Sequence, residues 1–595
     1  MLPTTAMAPF TVGPIEVALC PTTKPDICPN SCPFNQSSTV LPAGHKKNPN
    51  ARSLAAAVIF DHDQPVLLRD GTRIGADVYR PTGENKVPAI MMWGPYGKSG
   101  TLNLQGFPKR AGIPESKLSG YESFEGLDPA EWVPKGYAIV NVDPRGVFYS
   151  EGSLRWWGSA EGRDGCDAVE YIAALPWCSG KVALAGNSWL GIAQWFIAAE
   201  RPPHLACIAP LEAASDFLRE SFCRGGIPAT DFTAILAKTL YGHGEQEDVV
   251  KMLSLYPFTN EYWEDKRAKI ENIQVPAYIL GSYSTGLHTV GSVRGYQEIP
   301  HDKKWFVTHA TQEWYDLYTE ERTRELQSFF DRYTKEIPND WEQTPRVRLA
   351  FIRFNKPAVT NQPFADLPWR LPGRSQFRLF LTPEYKLSPV PIAKEASISY
   401  QADAPSMQTD SDPEELQFIY VVPDDVVIAG PLKAVLFMSS LEHDDIDVYV
   451  QLRKADKVGK LLQHSNIPLN DLDASSLSEI SNVNVLKYLG PQGMLRASAR
   501  HVSDELSSET WQTLSHSGRE PVRKGEVIRL EVYVWPTGIV FEAGEWLVLK
   551  VSGHNMCLAE FEFLQGAFRN SNQGRHIMHL GGIYESYLEV PICRL

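Results

Sequence analysis

The segment KVALAGNSWLGIAQW, residues 181–195, places one serine where a strand hands over to a helix. Val182, Ala183 and Leu184 read as the strand, Gly186 permits a sharp turn, and Gly191 lets the following helix pack closely. A serine on such an elbow projects its Oγ from the carboxyl ends of the sheet strands, ready to attack a carbonyl carbon. The Trp189 amide, in the first turn of the helix, would then face the oxyanion formed by that attack. The spacing Gly-x-Ser-x-x-Gly is one residue longer than the usual elbow, so the strand before it and the helix after it carry the argument.

Those flanking elements recur along the chain. AAVIF, VPAIMMW, YAIVNVD, LACIAPL, VPAYILG and KKWFVTH read as short buried strands, and RDGCDAVEYIAAL and GIAQWFIAAE carry a helical apolar period. Strands alternating with helices predict a mostly parallel α/β sheet covered on both faces. Residues 1–57 have no period and are expected to be an irregular extension. The α/β domain then runs over 58–213 and resumes at 273–340, interrupted by a helical cap at 214–272. From 341 to 595 the texture changes to short strands with polar turns, which predicts a jelly-roll β-sandwich.

The chain has 595 residues, enough for two or three cores, with 43% hydrophobic and 22% charged residues. A net charge of −14 and the lack of a basic stripe argue against nucleic-acid binding. No apolar run reaches membrane-spanning length, and the N-terminus lacks a basic start followed by an apolar block, so neither a span nor a secretory leader is expected. Nine scattered cysteines do not form a disulfide framework, and Cys20, Cys28 and Cys32 lack the partners of a zinc site. Asp444, Asp445 and Asp447 lie in an alternating strand pattern rather than a calcium loop. No metal or organic cofactor is expected. An intracellular protein is expected, cytoplasmic or directed to peroxisomes by Cys593-Arg594-Leu595.

GNSWLGIAQW, VDPRGVFYSEG, ELQSFFDRYTK and WPTGIVFEAGEWLVLKVSG together resemble the cocaine esterase and X-prolyl dipeptidyl peptidase (CocE/NonD) branch of the α/β-hydrolases, over roughly residues 55–595. The resemblance implies an α/β-hydrolase domain, a cap and a jelly roll. It also implies Tyr96 as a second oxyanion donor and His309, just after the last predicted sheet strand, as the base. His288 is the rival base or a substrate contact. The sequence departs from the family at the acid: in LGSYSTGLH, Ser284 or Thr285 stands where the family carries aspartate. Glu212, at the end of LACIAPLE, is the preferred replacement because Ser188, Glu212, His309 keeps the fold's nucleophile–acid–base order. Glu313 and Asp316 are weaker candidates because they follow His309 too closely.

Trp93, Phe148, Tyr149, Trp156, Trp157 and Tyr283 are expected to wall a pocket for a bulky apolar small molecule. The expected activity is a serine hydrolase cleaving an ester, thioester or amide through an acyl-enzyme. An acyltransferase in specialised metabolism using the same intermediate, or a catalytically weak ligand binder, is the alternative. Monomer and homodimer both fit.

Overall fold

A computed structural model describes residues 10–27, 33–371 and 375–593. The N-terminal half is built on an eleven-stranded sheet. Its strands in chain order are β1 (Ser37–Leu41), β2 (Val58–Leu67), β3 (Arg73–Pro81), β4 (Val87–Trp93), β5 (Ala138–Asp143), β6 (Cys178–Asn187), β7 (Leu205–Leu211), β8 (Ala277–Ser282), β9 (Lys304–His309), β10 (Val347–Phe351) and β11 (Val359–Phe364). Across the sheet they lie in the order β11-β10-β9-β8-β7-β6-β4-β5-β3-β2-β1. Pairing is parallel from β5 through β10 and antiparallel at both margins. β5 and β7 to β9 are almost wholly buried, as strands covered on both faces must be. Helices α1 (Gly158–Ala173), α2 (Ser188–Ala199), α3 (Thr289–Glu298), α4 (Glu313–Leu317) and α5 (Glu320–Thr334) cover it.

Between β7 and β8 lie short helices at Asp231–Lys238, Val249–Leu255 and Glu261–Asp265, together with small strand pairs. The C-terminal half is all-β and jelly-roll-like, with a second eleven-stranded sheet paired antiparallel along its path. Its long central strands are β12 (Val426–Ser440) and β13 (Ile528–Phe541).

The first 57 residues differ from expectation. Ser37–Leu41 adds an edge strand to the main sheet, and Leu19–Pro21 pairs with Glu245–Glu247 of the cap segment. Edge strands are held by backbone hydrogen bonds, so they need no apolar alternation; four of the five residues of β1 are exposed. Cys28, Cys32, Arg594 and Leu595 lie outside the described residues. Among the described residues no helix is long and apolar enough to cross a membrane. Asp447 is held by the Arg496 guanidinium at 2.7 Å, so a protein cation already occupies that carboxylate.

One buried ionic cluster ties the sheet to the loop after β4. Lys98 Nζ lies 2.8 Å from Asp63, 3.9 Å from Asp77 and 3.6 Å from Asp143, and Asp143 also accepts the Lys98 backbone N–H at 2.7 Å. The ammonium fills the space among His62, Asp63 and Asp77 that would otherwise suit a cation. Arg145 is likewise bound, to Asp164 and Asp70. Lys98→Met would leave Asp143 without a cation and Asp63 and Asp77 with only the His62 imidazole, a loss of about 3–5 kcal/mol. Its urea and thermal midpoints should fall well below those of the wild type, and unchanged midpoints would refute this role for Lys98.

Candidate active site

The elbow forms because its glycines permit it. Gly186 has φ +128°, and a Cβ there would lie 2.6 Å from Leu190 Cβ and 3.1 Å from the Glu125 carbonyl. A Cβ on Gly191 would meet the Gly186 carbonyl at 3.1 Å and Ala213 Cβ at 3.2 Å. Between them Ser188 adopts φ 51°, the left-handed region that a residue with a Cβ occupies only under constraint. Two backbone bonds impose it: Asn187 N–H donates to the Glu125 carbonyl at 3.0 Å, and Ser188 N–H donates to the Glu212 carbonyl at 3.1 Å. Glu125 and Glu212 are themselves at φ 68° and 56°, so three neighbouring segments share the strain. Ser188 is half-buried, at the first position of α2.

Tyr96 lies on the loop braced by Lys98, with its hydroxyl near the Ser188 side chain. Its ring meets Trp189 edge-on at 6.4 Å and Phe124 at 5.3 Å. Burial, and then the Glu125 carboxylate, push its pKa well above 10, so it remains a neutral donor. The Trp189 indole donates to Glu161 at 3.1 Å, and Trp93 donates to the same oxygen at 2.8 Å. The other Glu161 oxygen accepts the Trp157 N–H at 2.6 Å. Burial raises the Glu161 pKa to about 7.

Glu212 lies at the end of β7 and is fully buried. Its Oε1 is 2.5 Å from His309 Nε2, and its Oε2 accepts from Ser282 Oγ at 2.7 Å. Ser282 Oγ also contacts Thr285 Oγ1 at 3.0 Å, while Ser284 Oγ donates to the Thr311 carbonyl. The hydroxyls around the position expected to hold an aspartate therefore buttress Glu212. Ser282 has no motif to mark it; its role follows only from the register of β8.

The arrangement of His309 departs from the sequence reading. Its other ring nitrogen, Nδ1, lies 3.0 Å from Thr311 Oγ1 and 3.6 Å from Asp316. Asp316, a weaker candidate because it follows His309 so closely, therefore does lie beside the imidazole. Burial alone would lower the His309 pKa, but Asp316 and Glu212 together raise it above 6.5. Among the described residues no hydrogen bond joins His309 to Ser188, and the sheet explains why. His309 is the last residue of β9, paired with Ser282 of β8. β8 pairs with β7, and β7 pairs with β6, which ends beside Ser188. Three strand spacings, about 14 Å, separate the two strand ends. A histidine on a loop beyond the strand could arch back across that gap, but this one, at the strand end, meets Glu212 on the side toward β7.

His288 is on the loop between β8 and α3, immediately before the helix. It is buried, its Nε2 lies 4.0 Å from Glu313 Oε2, and its Nδ1 has no partner. Burial lowers its pKa to about 4, against the opposing field of Glu212. Glu313 thus faces His288, not His309; burial, with Glu212 and Glu125 adding to it, raises its pKa. Glu125 accepts from the Trp314 indole at 3.0 Å and is pushed up to about 8 by burial.

The expected aromatic wall divides. Tyr283 lines a cavity. Trp93 and Trp156 are each 1% exposed, and Trp157 stacks at 3.9 Å on Phe217 and lies 4.0 Å from Trp189. These three rings are core: Glu161 holds the Trp93 indole and the Trp157 backbone, and Gln246 accepts from the Trp156 indole at 3.1 Å. Phe148 stacks on Tyr241 and Tyr149 lies against His243, so both pack on the cap segment.

The model of the X-Pro dipeptidyl-peptidase (S15 family) matches residues 70–248, and that of the X-Pro dipeptidyl-peptidase C-terminal non-catalytic domain matches 339–589. Cocaine esterase of Rhodococcus sp. (strain MB1 Bresler) is 32% identical over 154 residues, 26% of this chain and 24% of that protein. A Mycobacterium bovis protein named as a serine esterase is 35% identical over 172 residues, 28% of this chain and 27% of that protein. The matched stretch therefore spans about a quarter of the length of these curated relatives. A CocE/NonD family hydrolase from Staphylococcus aureus superposes with a TM-score of 0.82 at 26% identity, covering 96% of this chain and 99% of that one. With both family models matching in order and the fold shared from end to end, the chain belongs to the CocE/NonD and X-Pro dipeptidyl-peptidase family of α/β-hydrolases.

Proposed function

We propose that the protein is a serine hydrolase that cleaves an ester or amide of a bulky, largely apolar small molecule. The observation that carries this reading is the strained Ser188 on its strand–helix elbow, with the buried, neutral Tyr96 set edge-on to the adjacent Trp189 ring. In the reaction Ser188 Oγ bonds to the substrate carbonyl carbon and its proton passes to an imidazole. The oxyanion is held by the Tyr96 hydroxyl and the Trp189 amide. Collapse expels an alcohol or amine carrying that proton, and water then repeats the sequence on the acyl-enzyme. The esterase and peptidase names of the relatives support this class of chemistry.

In this reading His288, rather than His309, is the proton acceptor. Its Nδ1 is unpartnered and it sits on the loop after β8, one strand nearer to β6 than β9, whereas both nitrogens of His309 are engaged. Glu212 stabilises the imidazolium through space and is fixed for that task by Ser282 and His309. A second reading, a pocket that binds without turnover, is favoured by one observation: no imidazole is hydrogen-bonded to Ser188 among the described residues.

A fluorophosphonate probe should label the wild type and not Ser188→Ala, and an unlabelled, folded wild type would favour the second reading. Tyr96→Phe should lower kcat for a p-nitrophenyl ester about 100- to 1000-fold. His288→Asn should cost about 100- to 10,000-fold in kcat/KM, with His309→Asn much milder. The pH profile gives an independent check. A neutral base with a pKa of about 4 keeps kcat/KM high well below pH 6.5. A base raised above 6.5 would lose it there, and that acid limb would return the role to His309.

A further inference from the structure

The cap segment, the loop before α3 and the β-domain meet at a seam that holds two adjoining cavities, of about 360 Å³ and about 140 Å³. Arg224 and Trp535 line both. Trp535 projects from β13 into the seam: the Arg224 guanidinium lies 5.1 Å from its ring, and a Cβ on Gly286 would lie 2.5 Å from it. Gly286 belongs to the loop that leads to His288, so the smaller cavity adjoins the candidate active site.

Six arginines border the larger cavity, and five already have carboxylates. Arg219 pairs with Asp216 at 2.8 Å, Arg294 with Glu298 at 2.7 Å and Arg267 with Glu298 at 3.3 Å. Arg500 pairs with Glu520 at 2.9 Å and Arg529 with Glu531 at 2.5 Å. Arg224 alone among them has no carboxylate within 4 Å in the described residues. Its Nε donates to the Glu220 carbonyl at 2.7 Å, which fixes the plane of the guanidinium and leaves both terminal nitrogens without a protein acceptor. Glu560 acts on it only at longer range and accepts from Asn484. Arg224 is half-buried, and partial removal from water lowers its pKa. Around it Tyr283, Tyr488, Trp535 and Phe568 supply apolar surface.

We propose that this seam is a ligand site in which Arg224 anchors a carboxylate carried on an aromatic or branched apolar body. A planar guanidinium held at Nε presents its remaining N–H groups as a fork that matches two carboxylate oxygens. Trp535 stacks on the cation and meets the apolar part of the ligand. That this ligand is the far end of the substrate rests on the hydrolase reading; that it binds does not.

The test uses the full chain with Ser188→Ala, titrated by calorimetry with 3-phenylpropanoate and with its neutral isostere 3-phenylpropanamide. The carboxylate should bind at least about tenfold more tightly. Arg224→Gln should reduce that preference to within about twofold, and Arg224→Lys, which keeps charge but not the fork, should retain part of it. Equal affinities, no binding of the carboxylate, or a preference that survives in Arg224→Gln would overturn the inference. If Arg224→Gln does not fold, the comparison of the two ligands on an otherwise unaltered seam, together with Arg224→Lys, still decides it. Fluorophosphonate labelling of the wild type without carboxylate preference would sink this site and leave the hydrolase reading standing. Carboxylate preference without labelling would do the reverse.

Discussion

The backbone at Ser188 is the constraint on which the site depends. A left-handed serine costs on the order of 1–3 kcal/mol, and it persists only where its surroundings over-determine it. Here the Glu125 carbonyl, the Glu212 carbonyl and the two close-packed glycines supply that constraint from three different segments. The same two carbonyls belong to residues whose side chains help set the electrostatics of the site. Geometry and charge are therefore coupled at the elbow.

That coupling explains why so many carboxyl groups can be buried near one hydroxyl. Glu125 and Glu313 are both raised by burial, with the Glu212 carboxylate adding to each, so at neutral pH they carry protons more readily than charge. Glu212 is different because Ser282 and His309 meet its oxygens directly. A carboxylate answered in this way is available to stabilise a nearby imidazolium, whereas an orphaned one is not. The fixed pair His309–Glu212 is then a support placed between the sheet and the reacting groups.

The β-domain takes part in the site as more than a cover. Trp535 from β13 packs on the loop that carries Tyr283 and His288 on one side and on Arg224 of the cap segment on the other. Arg219 of the cap also donates to the carbonyls of Leu514 and Ser515. Cap, loop and β-domain are therefore joined at the seam through Trp535 and Arg219.

Much of this was legible in the sequence because it depends on local chemistry. The strand–Gly–Ser–helix elbow, the α/β alternation, the change to short strands after residue 340 and the pairing of Glu212 with His309 all follow from residue types at short spacing or from strand order. Tertiary structure alone decided the rest. A histidine at a strand end and one on the loop after a strand look alike in sequence, and only the register of β6 through β9 separates His309 from Ser188. Trp93, Trp156 and Trp157 read as pocket wall until Glu161 is seen holding the Trp93 indole and the Trp157 backbone, and Gln246 the Trp156 indole. The edge strand at Ser37–Leu41 has no apolar pattern because backbone groups, not side chains, bind it to the sheet. Sequence specifies which groups are present and their local turns; which of them face one another is set by the packing of segments tens of residues apart or more.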